Sequence, residues 1–263
     1  MDFQKQVEAH HSYVKSMADE HKDYQVIFTA AVGSQNYDLA SENSDCDTFT
    51  IVLPNYMDFI SNTNLISFET NMSDGKCVVK DFRLMMNLLR KTSPNSIEVF
   101  ASHYKVIESE YNDIALTFFN PDTLFYLIHA NYQHMLHAIA GMAKQVHGRN
   151  MTEGKRYSHI LRISDMALNF LNNPRADQIL SFCNDENLEM ALNAKLDTNT
   201  EHDKYYLAHE EKLQEHLQLL ADNFTYTNTE RSIEYTSNHT INRLQFEVTK
   251  KYLELNGFEY RGI

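Results

Sequence analysis

The chain has 263 residues, and its 23 Lys and Arg against 36 Asp and Glu give a formal net charge of −13. A hydrophobic fraction of 43% is that of a folded globular protein, and the length suffices for one large domain or two smaller ones. Only 7 Gly and 4 Pro are present, which disfavours an all-β fold and favours helices. The acidic balance argues against sequence-independent coating of nucleic acid and leaves a local basic cleft open.

Targeting signals and disulfide patterns are missing from the sequence. No apolar run is long enough to span a membrane, and the polar first twenty residues lack the core of a signal peptide. The three cysteines, Cys46, Cys77 and Cys183, lie far apart and form neither a disulfide framework nor a CxxC zinc motif. We therefore expect a cytoplasmic protein with no membrane partner.

The first part of the chain alternates between helical and strand-like patterns. Its first twenty residues predict a helix, and the apolar runs Gln25–Val32 and Asp47–Leu53 predict buried strands. Two shorter runs, Leu65–Thr70 and Lys76–Val79, flank an Asp-Gly turn and indicate a hairpin.

Helical patterns then dominate. Phe82–Leu89 carries apolar residues at the spacing of an amphipathic helix, and a short helix follows Ser93-Pro94. From Asn120 onward every predicted element is a helix, at about 121–147, 153–171, 175–194, 202–221 and 231–255. The sequence thus predicts an α+β fold, with a small mixed-sheet domain and N-terminal helix over residues 1–119 and an all-helical domain over 120–263.

One segment, Ala31–Leu53, combines residue types that bind phosphate and divalent metal ions. A predicted strand runs into Gly33-Ser34, and a spacer of ten residues then leads to Asp45 and Asp47 at the next strand. Glycine lets the backbone approach a phosphate, the serine adds a hydroxyl, and a helix beginning there would add free amides. Two aspartates two residues apart on a strand point to one face, with Cα atoms about 6–7 Å apart. Their carboxylates could bracket two Mg²⁺ ions about 3.5–4 Å apart.

Each half of this motif alone has a simpler explanation, because Gly-Ser occurs in many turns and Asp-x-Asp occurs by chance. The whole arrangement is more specific, and it resembles the signature of the DNA polymerase β-type nucleotidyltransferase superfamily. Within it, GSQNYDLASENSDCD is most similar to the predicted nucleotidyltransferases that include an RNA-ligase-associated group, although Asp38 replaces the usual glycine.

Two further segments resemble the same group, so that the resemblance covers about residues 24–172. KDFRLMMNLLRKTSPNSIEVFAS resembles its helix followed by Asn-Pro-x-x-x-Glu, with Ser93 in place of Asn. GKRYSHILRISDMAL resembles its Lys-x-x-x-His-x-x-Arg helix.

The second of these segments predicts a basic helix face. Lys155, His159 and Arg162 fall within about 60° of one another on a 3.6-residue helix. Residues 144–162 hold five Lys or Arg and one acid, Glu153. Such a face suits an anionic ligand, although from the residues alone a solvated surface is the more common explanation. The resemblance favours the ligand, because the corresponding helix faces the nucleotide cleft.

The resemblance implies an enzyme that transfers a nucleoside monophosphate from a nucleoside triphosphate, with ATP one candidate, to a hydroxyl and releases pyrophosphate. Asp45 and Asp47 would bind Mg²⁺ or Mn²⁺ for two-metal catalysis. The implied nucleotide-binding residues lie on the Gly-Ser segment and on the basic helix: Gly33, Ser34, Tyr37, Lys155, His159 and Arg162. The acceptor stays open among an RNA end, a protein side chain and a small molecule, and the ligase association favours RNA.

The sequence leaves the position of a third catalytic carboxylate open. Polymerase β-type enzymes usually place one on a strand beside the Asp-x-Asp pair, and here the strand Lys76–Val79 contains no acid. Glu69 on the preceding strand ranks first, ahead of Asp74 in the turn, and a site without a third acid also stays open. Asp81 is better explained as a favourable charge at a helix N-terminus.

Two other classes of function fit the same sequence. The first is a nucleotide-binding regulatory module that has lost catalysis. The second is a helical interaction protein that uses residues 184–222, where ten acids face three lysines.

Overall fold

This computed structural model describes residues 2–21, 23–41, 44–91, 93–118, 152–172, 180–182, 185–196 and 230–258, with the single residues 138, 141, 211, 215 and 218.

A five-stranded mixed sheet lies at the centre of the N-terminal half. Its strands are β1 (Tyr24–Val32), β2 (Asp47–Pro54), β3 (Ser67–Asn71), β4 (Lys76–Asp81) and β5 (Lys105–Ile107). Their order across the sheet is β3-β4-β2-β1-β5, with β2 and β4 parallel and the other neighbours antiparallel. The sequence predicts the first four strands, including the hairpin of β3 and β4. It misses β5, which has three residues and lies at the sheet edge.

Eight α-helices are described. They are α1 (Phe3–His21), α2 (Tyr56–Ser61), α3 (Phe82–Arg90), α4 (Pro94–Ala101), α5 (Asn112–Phe118), α6 (Glu153–Asn172), α7 (Asp185–Leu196) and α8 (Glu230–Leu255). The short helices α2 and α5 are not predicted from the sequence. The helices predicted for 121–147 and 202–221 lie outside the described residues, apart from single helical positions. The predicted α+β fold class is confirmed.

The two faces of the sheet carry different layers. Helix α1 covers one face, where Val14 and Ala18 pack on Val52 and its neighbours. The opposite face, which includes Ile51 and Leu53 of β2, belongs to the largest hydrophobic cluster. Because successive side chains of a strand point to opposite faces, Asp47 projects from the face that Phe49 and Ile51 share.

The C-terminal helices share this largest cluster with the sheet. Ile241, Leu244 and Val248 of α8 are buried in it at helical spacing. The Tyr252 hydroxyl donates a hydrogen bond of 2.6 Å to the carbonyl oxygen of Pro54, at the end of β2. The division into two domains near residue 120 stays a prediction. None of the described helices combines the length and apolarity needed to cross a membrane.

Buried histidines join α1 to the sheet. Nδ1 of His10 lies 2.8 Å from the Thr48 hydroxyl, and Nε2 lies 2.8 Å from Oδ1 of Asp74. His11 similarly connects the Thr29 hydroxyl and the Glu108 carboxylate, at 3.0 and 2.7 Å. The first of these bridges supports the turn between β3 and β4.

That turn packs directly on the backbone between the two aspartates of the Asp-x-Asp motif. The Cys46 N–H donates a 2.7 Å hydrogen bond to the Asp74 carbonyl. The Lys76 N–H donates to Oδ1 of Asp47 at 3.0 Å. A Cβ at Gly75 would lie 2.3 Å from the Cys46 carbonyl oxygen, so only glycine fits.

We therefore expect Gly75→Ala to lower the free energy of unfolding by about 1–3 kcal/mol or more, because the obstructing atoms are backbone. The measurement is urea denaturation of the full chain. Gly141→Ala is the matched control, since a Cβ there meets nothing within 4 Å. Equal urea midpoints for wild type and Gly75→Ala would show that the turn does not depend on this contact.

Candidate functional site

The Gly33-Ser34 segment forms a tight turn at the end of β1. Gly33 has φ +95° and ψ −147°, a region that side-chain-bearing residues rarely adopt. A single 3-10 turn, Ser34–Tyr37, follows Gly33 in place of a longer helix. It ends at Asp38 in the left-handed conformation, with φ 54°. Aspartate tolerates this conformation better than most residues, which explains why it can replace the glycine that is usual at this position.

A buried carboxylate lies beneath this turn: Glu98, from the segment that resembles Asn-Pro-x-x-x-Glu, whose contact with Gly33 the sequence does not indicate. Glu98 of α4 is 6% exposed, and its Oε1 accepts the Gly33 N–H at 2.5 Å. The Asn36 side-chain amide donates to the same oxygen at 3.3 Å and to the Ala31 carbonyl at 2.9 Å. The Ser102 hydroxyl in turn donates to Oδ1 of Asn36 at 2.8 Å. The Gly33 amide, an expected phosphate donor, thus already binds a protein carboxylate.

The aspartate pair lies at the same edge of the sheet as this turn. Val32 and Asp47 are paired residues of the antiparallel strands β1 and β2, so Gly33 follows directly from the partner of Asp47. Asp45 and Asp47 are exposed, and Cys46 between them is fully buried. The Gln35 side-chain amide donates to the Asp45 carbonyl and ties the two segments together.

Glu69 shares a sheet face with the pair but lies further away. Phe49, Val78 and Glu69 form one row across β2, β4 and β3. Glu69 is exposed, and Phe68 beside it packs on the α1 side, so Glu69 points to the face of Asp47. Two strand spacings place its Cα roughly 10 Å across the sheet from β2.

The other two candidate acids have structural partners. Asp74 contacts His10, as described above. Asp81 is fully buried and caps α3, where it accepts the Arg83 N–H at 2.9 Å and pairs with its guanidinium at 2.6 Å. The interpretation of Asp81 as a helix N-terminal charge is confirmed. Within the described part of the chain, no group of three or more His, Cys, Asp or Glu could hold a metal ion.

The basic face of α6 reaches the Gly-Ser turn at one of its three residues. The guanidinium carbon of Arg162 lies 4.4 Å from the ring centre of Tyr37, a cation–π distance. Tyr37 itself is 3% exposed and belongs to the core. Lys155 is exposed and His159 is half-buried on the same helix.

Burial controls the ionisation of the groups under the turn. It raises the pKa of Glu98 above the ordinary value of a glutamate, although Arg162 and the Gly33 amide oppose the rise. Burial, together with the charge of Glu98, also raises the pKa of the Tyr37 hydroxyl far above its usual range, which keeps Tyr37 neutral.

The raised pKa of Glu98 gives stability a defined pH dependence. Above the ordinary pKa of 4.5, the unfolded chain has lost a proton that folded Glu98 still holds, so the free energy of unfolding falls as pH rises toward the folded pKa. Glu98→Gln keeps an acceptor for Gly33 and removes this titration. We expect the stability of Glu98→Gln relative to wild type to increase with pH above 4.5 and then to level off.

Urea denaturation at a series of pH values above 4.5 measures this difference. The matched control is Glu20→Gln, at an exposed position on α1. A relative stability of Glu98→Gln that declines with pH would contradict the burial of an ionisable carboxylate under Gly33.

The comparison with known proteins agrees with the resemblance carried by the Gly-Ser and Asp-x-Asp motifs. No curated protein sequence matches the chain. The RNA repair pathway DNA polymerase beta family (RlaP) matches residues 6–247, which include the C-terminal helices as far as α8. The predicted membership of the polymerase β-type nucleotidyltransferases is thus confirmed, and the chain belongs to the RNA repair pathway DNA polymerase beta family.

Proposed function

We propose that the protein is a Mg²⁺-dependent nucleotidyltransferase that moves a nucleoside monophosphate from a nucleoside triphosphate to a hydroxyl acceptor. The observation that carries the proposal is the pairing of Val32 with Asp47, which brings the Gly33-Ser34 turn and the exposed aspartates to one sheet edge. Paired Cα atoms of antiparallel strands lie about 4.5–5.5 Å apart, so a triphosphate on the turn would reach the carboxylates.

The donor set fits a hard divalent cation. Asp45 and Asp47 offer exposed carboxylate oxygens, and within the described part of the chain only Oδ1 of Asp47 is engaged, by the Lys76 amide. Mg²⁺, or Mn²⁺ in its place, is held by one or two carboxylates with phosphate oxygens as further ligands. When bound, such ions neutralise charge on the phosphates and make the attacking hydroxyl more acidic.

The remaining residues would bind and orient the nucleotide. The Ser34 hydroxyl has no hydrogen-bond partner among the described residues and would donate to the β or γ phosphate, while Gly33 gives the turn its shape. Tyr37 would act by supporting Arg162, which with Lys155 and His159 would face the triphosphate. The acceptor oxygen would then attack the α-phosphorus in line, its proton would pass to a carboxylate or to solvent, and the bond to the β-phosphate would break.

An RNA end is the acceptor that we favour. The description of the family to which the chain belongs names an RNA repair pathway, and RNA ends carry the hydroxyl that this chemistry needs. A protein side chain and a small molecule are the alternatives that the assay below includes.

A regulatory module without catalysis is the second candidate. One observation favours it: the described residues assemble two carboxylates at the site and no third one within metal-binding distance. Such a module would bind nucleoside triphosphates without releasing pyrophosphate.

We expect Asp47→Asn, and likewise Asp45→Asn, to reduce transfer by orders of magnitude, because the amide keeps the volume and removes the charge that binds the cation. The assay incubates each labelled nucleoside triphosphate and Mg²⁺ or Mn²⁺ with RNA, protein and small-molecule acceptors and follows pyrophosphate. Asp38→Asn is the matched control, since it removes the same charge from an exposed position in the same loop. Full activity of Asp47→Asn in Mg²⁺ would exclude metal-assisted transfer at this pair.

The role of Glu69 is tested by Glu69→Gln. If Glu69 is the third carboxylate, the variant should keep nucleotide binding and lose transfer, because it would assist removal of the acceptor proton. Glu110→Gln is the matched control at another exposed glutamate. Unchanged transfer by Glu69→Gln would remove Glu69 from the site, and a wild-type protein that binds nucleotide yet never releases pyrophosphate would be the regulatory module.

A further inference from the structure

We propose that Lys195 of α7 completes, with Lys155 and Arg162 of α6, a binding site for the pyrophosphate portion of the nucleotide. The inference deepens the proposed transferase function and rests on it for the identity of the ligand. Lys195 lies in the acidic segment 184–222, so the sequence alone does not suggest a cationic binding residue there.

The first observation is where the Lys195 side chain ends. Its ammonium group donates to the carbonyl oxygen of Leu39 at 2.5 Å and to the hydroxyl of Ser44 at 3.2 Å. Both acceptors lie between the Gly-Ser turn and the aspartate pair, and Ser44 directly precedes Asp45. A cation from the C-terminal helices is therefore adjacent to the proposed metal-binding carboxylates.

The second observation is that positive charge accumulates there, and Glu98 is the opposite charge near Arg162. Helices α6 and α7 pack together, and the charges of Lys155 and Arg162 add to burial in lowering the pKa of Lys195. Among the described residues, no carboxylate lies within 4 Å of any of these three cations. Nε of Arg162 is also buried without a hydrogen-bond partner in that part of the chain.

Among the described residues Lys155 and Lys195 have no carboxylate partner, and two such neighbouring cations in a chain of net charge −13 indicate an anionic ligand. The present partners of Lys195 are a carbonyl and a hydroxyl, which are neutral acceptors. A phosphate oxygen would add a negative charge on the acceptor side, which neither the carbonyl nor the hydroxyl offers to the ammonium group. The position of Lys195 beside Asp45 favours the β and γ phosphates as its ligands. These two phosphates would depart as pyrophosphate on the side of the nucleotide where Asp45 and Asp47 would hold the metal ions.

The test uses inorganic pyrophosphate as the probe, with the full chain and EDTA, so that no metal contributes to binding. Titration calorimetry should show that Lys195→Gln weakens pyrophosphate binding about tenfold or more, as expected for a lost hydrogen bond to a charged group. Lys195→Arg should retain most of the affinity. Lys91→Gln is the matched control at an exposed lysine beyond α3 and should bind as wild type does.

A purely structural role makes a different prediction. If Lys195 only tethers α7 to the loop, Ser44→Ala and Lys195→Gln should both lower stability in urea and leave pyrophosphate affinity unchanged, which would overturn the proposal. Normal pyrophosphate affinity of Ser44→Ala together with its loss in Lys195→Gln supports the anion site. Absence of pyrophosphate binding by the wild-type chain would also overturn it.

Parallel assays separate this inference from the proposed function. A wild-type chain that binds pyrophosphate through Lys195 but transfers no nucleotide supports the anion site and refutes the transferase. Nucleotide transfer by the wild-type chain, combined with full pyrophosphate affinity in Lys195→Gln, supports the transferase and refutes the anion site at Lys195. A 5′-phosphorylated RNA oligomer that binds through Lys195 more tightly than pyrophosphate would assign the cations to the acceptor and overturn the pyrophosphate assignment.

Discussion

The close packing of the β3–β4 turn on Cys46 is the constraint from which the candidate site derives its geometry. Gly75 leaves no room for a side chain, the Asp74 carbonyl accepts the Cys46 amide, and the Lys76 amide binds Asp47. Two exposed, like-charged carboxylates repel each other, and these backbone contacts hold the segment that carries them in place. Helix α1 supports these contacts from behind through His10.

A second constraint acts on the other side of the site. Glu98 holds the turn at Gly33 from below. The charge of Arg162 and the hydrogen bonds from the Gly33 and Asn36 amides offset part of the free-energy cost of burying this carboxylate. The same arginine lies over Tyr37. The turn, the short helix α4 and the basic face of α6 are therefore coupled through one buried carboxylate. A substitution in any of the three should alter the hydrogen bonds or the electrostatic interactions of the other two.

Much of the fold follows from local patterns in the sequence. The apolar runs of β1 and β2, the Asp-Gly hairpin and the amphipathic spacing of α3 each specify one element. The three residues of β5 are too few to form a pattern, and β5 is a strand because Phe28, Thr29 and Ala30 of β1 pair with it. The Gly-Ser and Asp-x-Asp motifs also indicate the family, because their spacing within one chain segment is rare.

The parts of the site that depend on long-range contacts could not be predicted from local patterns in the sequence. Glu98 is more than sixty residues from Gly33, and Lys195 is about 150 residues from Ser44, so no local spacing connects them. The distance of Glu69 from the aspartates depends on the registers of two strand pairs, which alternation alone does not specify. The two-domain division depends on the end of the strand patterns near residue 120 and stays a prediction.

The burial of Cys46 has a practical consequence for following motion at the site. Its thiol is fully buried between the two aspartates, and burial, reinforced by the charges of Asp74 and Asp47, raises its pKa to about 12. A thiol in this state is unreactive, because the thiolate is the nucleophile. Alkylation of Cys46 therefore requires α1 to separate from the sheet, because Val7 of α1 and Ala31 of β1 cover the Cys46 side chain, and its rate would measure that local opening directly. The chain thus carries, between the two candidate metal-binding aspartates, a cysteine whose alkylation rate reports how often the structure around it opens.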